Sequence, residues 1–231
     1  MTKVFRLLAI CTISVAFATL SSAWAHTTYT QVDYPGAVLT EIAGGPNLEG
    51  TSVGAYSLTV GGALHGFALN AHGAFTPIDV PGATNTIPNF INLQGVIVGS
   101  YTDSAGTSHG FVLKGGTYTA LDYPDEPGSE LSGINDLGEI SGSFCSDAAC
   151  DTSATFHSFV VSRKGVFTTF DPPGATGSIS STVSLLGVVV GSYDTLSEPT
   201  LYHRMSGIRP VPGKVHYPKL SWLFVYVCGR R

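Results

Sequence analysis

Three short elements recur along this chain in one fixed order, and that recurrence limits its fold more than any other property of the sequence. The first has glycine second and an aromatic residue fourth: Val53-Gly54-Ala55-Tyr56, Val98-Gly99-Ser100-Tyr101, Ser141-Gly142-Ser143-Phe144 and Val190-Gly191-Ser192-Tyr193. The second is His-small-Phe, at His65-Gly66-Phe67, His109-Gly110-Phe111 and His157-Ser158-Phe159. The third is Asp-x-Pro, at Asp33-Tyr34-Pro35, Asp79-Val80-Pro81, Asp122-Tyr123-Pro124 and Asp171-Pro172-Pro173. The glycines of the first element recur about every 45 residues. That period belongs to architectures in which each repeat is one supersecondary unit that buries its apolar face only against its neighbours.

The clearest copy, Thr86 to Pro124, reads as strands and turns. Residues alternate from Val96 to Tyr101, with Gly95 before them, which is the period of a half-buried strand. Asp103-Ser104-Ala105-Gly106 is a turn signal. His109 to Leu113 forms a second strand, Gly115-Gly116 turns the chain, and Tyr118 to Asp122 forms a third that Pro124 stops. Thr86 to Asn92 supplies a fourth, ahead of Gly95. Four short strands per unit predict an all-β repeat fold, a small β-propeller of about four four-stranded blades. An open β-solenoid or a sandwich is the alternative.

The combination of His-small-Phe, Asp-x-Pro-Gly-Ala and Ile-Asn-x-x-Gly resembles the bacterial extracellular repeat family called HAF. Ile91-Asn92-Leu93-Gln94-Gly95 and Ile134-Asn135-Asp136-Leu137-Gly138 carry the last motif, and the resemblance spans Tyr29 to Tyr193. The central alanine of the family motif is Gly66, Gly110 or Ser158 here. The resemblance implies export and a β-repeat architecture. It implies no activity, so it assigns no catalytic residue.

Residues 1–25 have the form of a secretory signal. Lys3 and Arg6 lead an apolar stretch from Leu7 to Leu20, and Ala23-Trp24-Ala25 is a small-x-small cleavage signal. The expected mature start is His26. The apolar stretch is shorter than the ~20 residues that cross a bilayer, so no stable membrane span is expected in the mature chain. The repeat body, 26–203, holds all 16 acidic residues of the chain against Lys114, Arg163 and Lys164 alone. A body so acidic repels nucleic acid and anionic membrane surfaces. Charged residues make up 12% of the chain, about half the usual share, and Gly, Ser and Thr take their place on the surface. Cys145 and Cys150 bracket a lengthened turn. In an exported chain such a pair is expected to form a disulfide that pins the turn.

The repeat elements stop after His203, and residues 204–231 are basic with no acid among them. Leu220 to Cys228 is an apolar run that Gly229-Arg230-Arg231 follows. This segment reads as an atypical tail, foreign to the repeat in the manner of a frameshifted or truncated end.

Several residues carry chemistry in other settings. Gly50-Thr51-Ser52-Val53-Gly54 matches a nucleophile pattern that requires a strand, a strained turn and a helix. Its counterparts, Gly95 to Gly99 and Gly187 to Gly191, read as strands with no helix after them. His65, His109 and His157, with Asp79, Asp122 and Asp171, recur once per unit and could form ligand or acid–base sets. Residues that repeat in every unit more commonly serve the stacking of units, and that role is expected here. The same holds for the aromatic row Tyr56, Phe67, Tyr101, Phe111, Phe144, Phe159 and Tyr193, which could otherwise stack sugars. Asp103, Ser104, Gly106, Asn135 and Asp136 loosely resemble calcium ligands but lack a dense acidic loop.

These features predict an exported, non-enzymatic interaction or surface module, with no catalytic residue, cofactor or metal site. Its ligand, a protein or a glycan, meets loops on one face. The alternatives are a secreted hydrolase acting on a glycan or ester, and a degenerate copy without function. Tyr29 to Asp33 has no unit of its own, so it is expected to pair with Leu201 to His203 and close the ring.

Overall fold

The computed structural model describes residues 30–147, 155–195, 203–211 and 214–216. It is a four-bladed β-propeller. Each blade is a meander of four antiparallel strands. The first blade holds β1 (Leu39–Gly44), β2 (Ser52–Ser57), β3 (His65–Leu69) and β4 (Phe75–Ile78). The second holds β5 (Asn85–Ile91), β6 (Ile97–Thr102), β7 (Ser108–Lys114) and β8 (Thr117–Ala120). The third holds β9 (Gly128–Ile134), β10 (Ile140–Cys145), β11 (Phe156–Val161) and β12 (Phe167–Phe170). The fourth holds β13 (Ala175–Val183), β14 (Val189–Thr195), β15 (His203–Val211) and β16 (Lys214–His216). All four lie in one unit that begins at Val32, and 1–31 forms a separate one of which only Thr30 and Gln31 are described. Among the described residues no helix is long and apolar enough to cross a membrane.

The repeat elements take equivalent places in every blade. Gly54, Gly99 and Gly142 lie in the second strand, opposite Phe67, Phe111 and Phe159 of the third. Those three phenylalanines are fully buried. Glycine is needed because a Cβ would clash first with the inner-strand carbonyl oxygens of Glu41, Ile87 and Glu130, and in the second and third blades with the phenylalanine ring as well. A Cβ on Gly99 would lie 2.8 Å from Cε1 of Phe111, and one on Gly142 would lie 2.5 Å from Cζ of Phe159. The aromatic row is therefore packing. In the fourth blade Met205 replaces phenylalanine, with its Cε 2.5 Å from where a Cβ on Gly191 would be.

Asp-x-Pro-Gly-Ala is the connector between blades. Ala37, Ala83 and Ala175 donate backbone N–H groups to the carbonyls of Tyr34, Val80 and Pro172, closing a turn with proline second. The third turn residue is Gly36, Gly82 or Gly174, with φ of 78°, 82° and 82°, the left-handed position of a type II turn. In the third connector that place falls to Asp125, with φ 63°. A hydroxyl six residues on anchors each turn. Thr40, Thr86 and Ser129 accept from the N–H of Tyr34, Val80 and Tyr123 at 2.9, 3.1 and 2.8 Å. Pro172 has no N–H, and Ser178 Oγ turns instead to Asp171 Oδ1 at 2.7 Å.

Two expectations need correction. Thr30 to Asp33 lies in no strand, and the outer place of the fourth blade belongs to β16, which pairs with β15. Tyr29, Leu201 and Tyr202 lie outside the described residues. The hairpin of β15 and β16 has Val211 opposite Lys214, with only Pro212 and Gly213 between them in sequence. Closing so short a loop costs far less chain entropy than recruiting the start of the chain. The boundary drawn at His203 also shifts, because Arg204 to Val211 continues β15, which pairs with β14 as far as Ile208 and with β16 from Arg209. His203 stands opposite Tyr193, as His65 stands opposite Tyr56. Part of the stretch read as foreign thus builds the outer half of a blade. Residues 1–25 and Cys150 lie outside the described residues; Cys145 is buried at the end of β10.

Candidate functional site

Antiparallel order places two kinds of loop at opposite ends of the propeller. One end carries the connectors and the turns between second and third strands. The other carries the tips between first and second strands, and the four tips meet there at the axis.

Each tip is an Asn-x-x-Gly turn in the first three blades. Asn92 Oδ1 accepts the N–H of Gln94 and Val96 at 3.1 and 2.9 Å. Asn47 and Asn135 hold their own turns in the same way. The side-chain amide nitrogen of each reaches forward to the next blade. Asn47 Nδ2 donates to the carbonyl of Asn92 at 3.4 Å, Asn92 to Asn135 at 3.3 Å, and Asn135 to Ser184 at 2.8 Å. A single amide thus fixes a turn and latches two blades. The fourth tip has Ser184, whose Oγ accepts from Val188 N–H at 3.1 Å. A hydroxyl has no second arm with which to reach onward.

The latched tips surround an axial cavity of about 320 Å³. All four blades line it, through Pro46 and Asn47, Phe90 to Leu93, Ile134 to Asp136, and Val183 with Leu185. The residues between Asn, or Ser184 in the fourth blade, and Gly at the tips include Leu48, Leu93, Leu137, Leu185 and Leu186, all exposed. Leu48 is 84% and Leu186 71% accessible. Turn positions favour Gly, Pro, Asn, Asp and Ser, so leucine in all four tips is not explained by turn formation. Leu93 and Leu185 line the opening itself, and exposed apolar side chains at a concave opening are the usual form of a binding surface. Glu49, Asp136 and Glu139 stand among the leucines. Asp136 Oδ1 accepts the N–H of Leu93 at 2.8 Å across the seam.

The repeated histidines and aspartates lie at the opposite end and pair within each blade. His65 Nδ1 is 3.3 Å from Asp79 Oδ1, His109 Nδ1 2.9 Å from Asp122 Oδ2, and His157 Nδ1 2.9 Å from Asp171 Oδ2. Each imidazole packs beside the aromatic residue of the neighbouring strand: Tyr56, Tyr101 or Phe144. Each pair ties the start of the third strand to the connector that leaves the blade. Asp122 Oδ1 also accepts the N–H of Gly110 at 2.9 Å. In the second blade Asp103 Oδ2 also approaches His109 Nε2 at 3.5 Å. Desolvation lowers the pKa of His109, but Asp122 and Asp103 outweigh it and hold the imidazole above its ordinary value. Asp103 lies below the ordinary carboxylate value, chiefly because Thr107 N–H bonds to it.

The pairs do not converge. Each stays in its own blade, and among the described residues no group of three or more His, Cys, Asp or Glu is placed to hold a metal ion. Asp103 and Asn135, which loosely resemble calcium ligands, use their side-chain oxygens to close their own turns. Ser52 opens β2, which leads through a turn into β3 and not into a helix. A polar cleft of about 250 Å³ adjoins His65 and Asp79, lined by the connector that follows them.

Sequence reasoning singled out Asn92 as a motif residue and Asn135 as a motif residue and loose calcium-ligand candidate, and missed Asn47, Ser184 and the leucines as site residues. The signal was present: Asn47, Asn92, Asn135 and Ser184 each precede the glycine of the Gly-x-aromatic element by the same interval. Comparison with protein-family models, with curated proteins and with solved structures finds no match.

Proposed function

We propose that this chain is an exported, non-enzymatic binding module of the HAF-repeat type, and that its ligand docks on the axial end of the propeller. The observation that carries this reading is the axial cavity with exposed Leu93 and Leu185 in its lining and further exposed leucines in the same four tips. Exposed leucines gathered at one concave place mark a contact surface, whereas scattered ones do not. The repeated His–Asp pairs serve the blades that contain them, which leaves the axial end as the surface for an outside partner. That partner is an extracellular protein or glycan that offers apolar surface to these leucines. Export rests on the signal-like residues 1–25, and the Cys145–Cys150 disulfide belongs to the same oxidising setting.

Peptide and glycan arrays probed with the secreted protein test the binding surface. Leu93→Asn with Leu185→Asn should abolish the signal, and His157→Gln at the opposite end should leave it intact. The reverse pattern would move the site to the connector end. N-terminal sequencing of the secreted protein should begin at His26; an intact Met1 on soluble material would remove the premise of export.

A further inference from the structure

Each repeat pairs the residue after its connector aspartate with the aromatic residue of its Gly-x-aromatic element. The pairs are Tyr34 with Tyr56, Val80 with Tyr101, Tyr123 with Phe144, and Pro172 with Tyr193. Where both residues are aromatic, they stack. Tyr123 lies on Phe144 with ring centroids 4.0 Å apart and planes 13° from parallel. Tyr34 lies on Tyr56 at 3.6 Å and 6°. Only the first repeat carries a hydroxyl on both rings, and Phe144 shows that the stack itself requires no second hydroxyl.

The pair is held in place. Tyr56 is 8% exposed on β2, and Tyr34 is half-buried at the turn that enters the blade. Phe67 and Phe75 pack beside Tyr34, with centroids 5.9 and 5.0 Å from its ring. Its N–H donates to Thr40 Oγ1 at 2.9 Å. The two phenol hydroxyls share a hydrogen bond, which together with burial pushes Tyr56 up to about 12. Parallel rings at this separation, with their hydroxyls together, lie face to face at the carbons ortho to oxygen. Those are the carbons that share the unpaired electron in a tyrosyl radical.

We propose that Tyr34 and Tyr56 are a modification site, at which a haem peroxidase with hydrogen peroxide joins the two rings through an ortho–ortho dityrosine bond. Tyr34, the more exposed, loses its electron first, and Tyr56 loses its own through the stack. Each phenol gives up its proton with its electron. The two radicals pair at their ortho carbons and form one C–C bond. Each of those carbons then releases its hydrogen as a proton while the adjoining oxygen regains one. The pair ends two hydrogen atoms lighter, and one hydrogen peroxide takes up two electrons and two protons to become two waters. Reacting atoms held at about 3–3.5 Å make such a step effectively unimolecular, so the bond forms within one chain. It ties the connector that enters the first blade to the second strand of that blade. This site is independent of the axial cavity.

Treatment of the purified protein with a haem peroxidase and hydrogen peroxide tests it, read by dityrosine fluorescence and peptide mass mapping. The parent should yield the peptides of Tyr34 and Tyr56 linked, two hydrogens lighter than the separate pair, in chains of monomer size. Tyr34→Phe and Tyr56→Phe should each abolish that link while keeping the parent's melting behaviour, since phenylalanine stacks as Phe144 does. Phe144→Tyr should add a second link within the chain, from Tyr123 to the new phenol. Dityrosine that joins separate chains or other tyrosines, with Tyr34 and Tyr56 unlinked, would overturn the proposal. So would a parent that stays unlinked under conditions that couple free tyrosine. A Phe144→Tyr variant that melts like the parent and gains no second link would overturn the stack as the cause.

Discussion

Truncating the same repeat position in two blades separates burial from sequence pattern. Leu131 is fully buried where the third blade packs on the second, against Gly110, Val96 and Val98. Leu131→Ala removes its branched end from a site whose walls are strands held at both ends. Such deletions cost about 2–5 kcal/mol, because lost transfer energy and a residual cavity add. Ile42 holds the matching place but remains 43% exposed. Burying an isoleucine completely contributes about 1.5–3 kcal/mol, so Ile42→Ala should cost only about 1 kcal/mol. For a chain of 231 residues, about 2–4 °C of Tm follows each kcal/mol. Leu131→Ala should therefore lower Tm by about 4–20 °C and Ile42→Ala by about 2–4 °C. Urea denaturation of both variants beside the parent, with slopes compared as well as midpoints, measures the difference. Equal costs at the two positions would refute the reasoning, because they would mean that the first blade is covered as the third is.

Three further outcomes are expected. Asp125 holds a left-handed φ that glycine holds in the other connectors, so Asp125→Gly should raise stability by about 0.5–1 kcal/mol, the relief of left-handed strain less the added chain entropy; thermal melting checks it. The pKa of His109 is raised in the folded protein, so its pairing stabilises fully below its ordinary value near 6.5 and is lost as pH rises through the folded value. The Tm difference between parent and His109→Gln should accordingly shrink from pH 6 to pH 8, and a difference that grows with pH would contradict the pairing. Peptide mapping without reduction should recover Cys145 linked to Cys150, a bond that contributes about 2 kcal/mol on the chain-entropy model; linkage of either to Cys228 would tie the end of the chain to the fold.

The sequence by itself determined the blade. Strand alternation, turn glycines and three recurring elements are local, so the four-stranded unit and its period were legible before any packing was known. The strands from Thr86 to Pro124 fall within a residue or two of the expected ones. What one blade does to the next was not legible, because it joins residues about 45 positions apart through single atoms. The amide of Asn92 bonds to Asn135, and the smallness of Gly110 matters only because Leu131 rests on it. The loss of the repeat signature after His203 hid a pair of strands for a related reason. Met205 fills the place of phenylalanine by volume and not by type, and backbone pairing to β14 requires no particular side chain. Tertiary structure alone decided that Leu93 and Leu185, from turns more than 90 residues apart, would line one axial cavity. The arrangement of the blades brings all four tips to that cavity, and no single repeat contains that geometry.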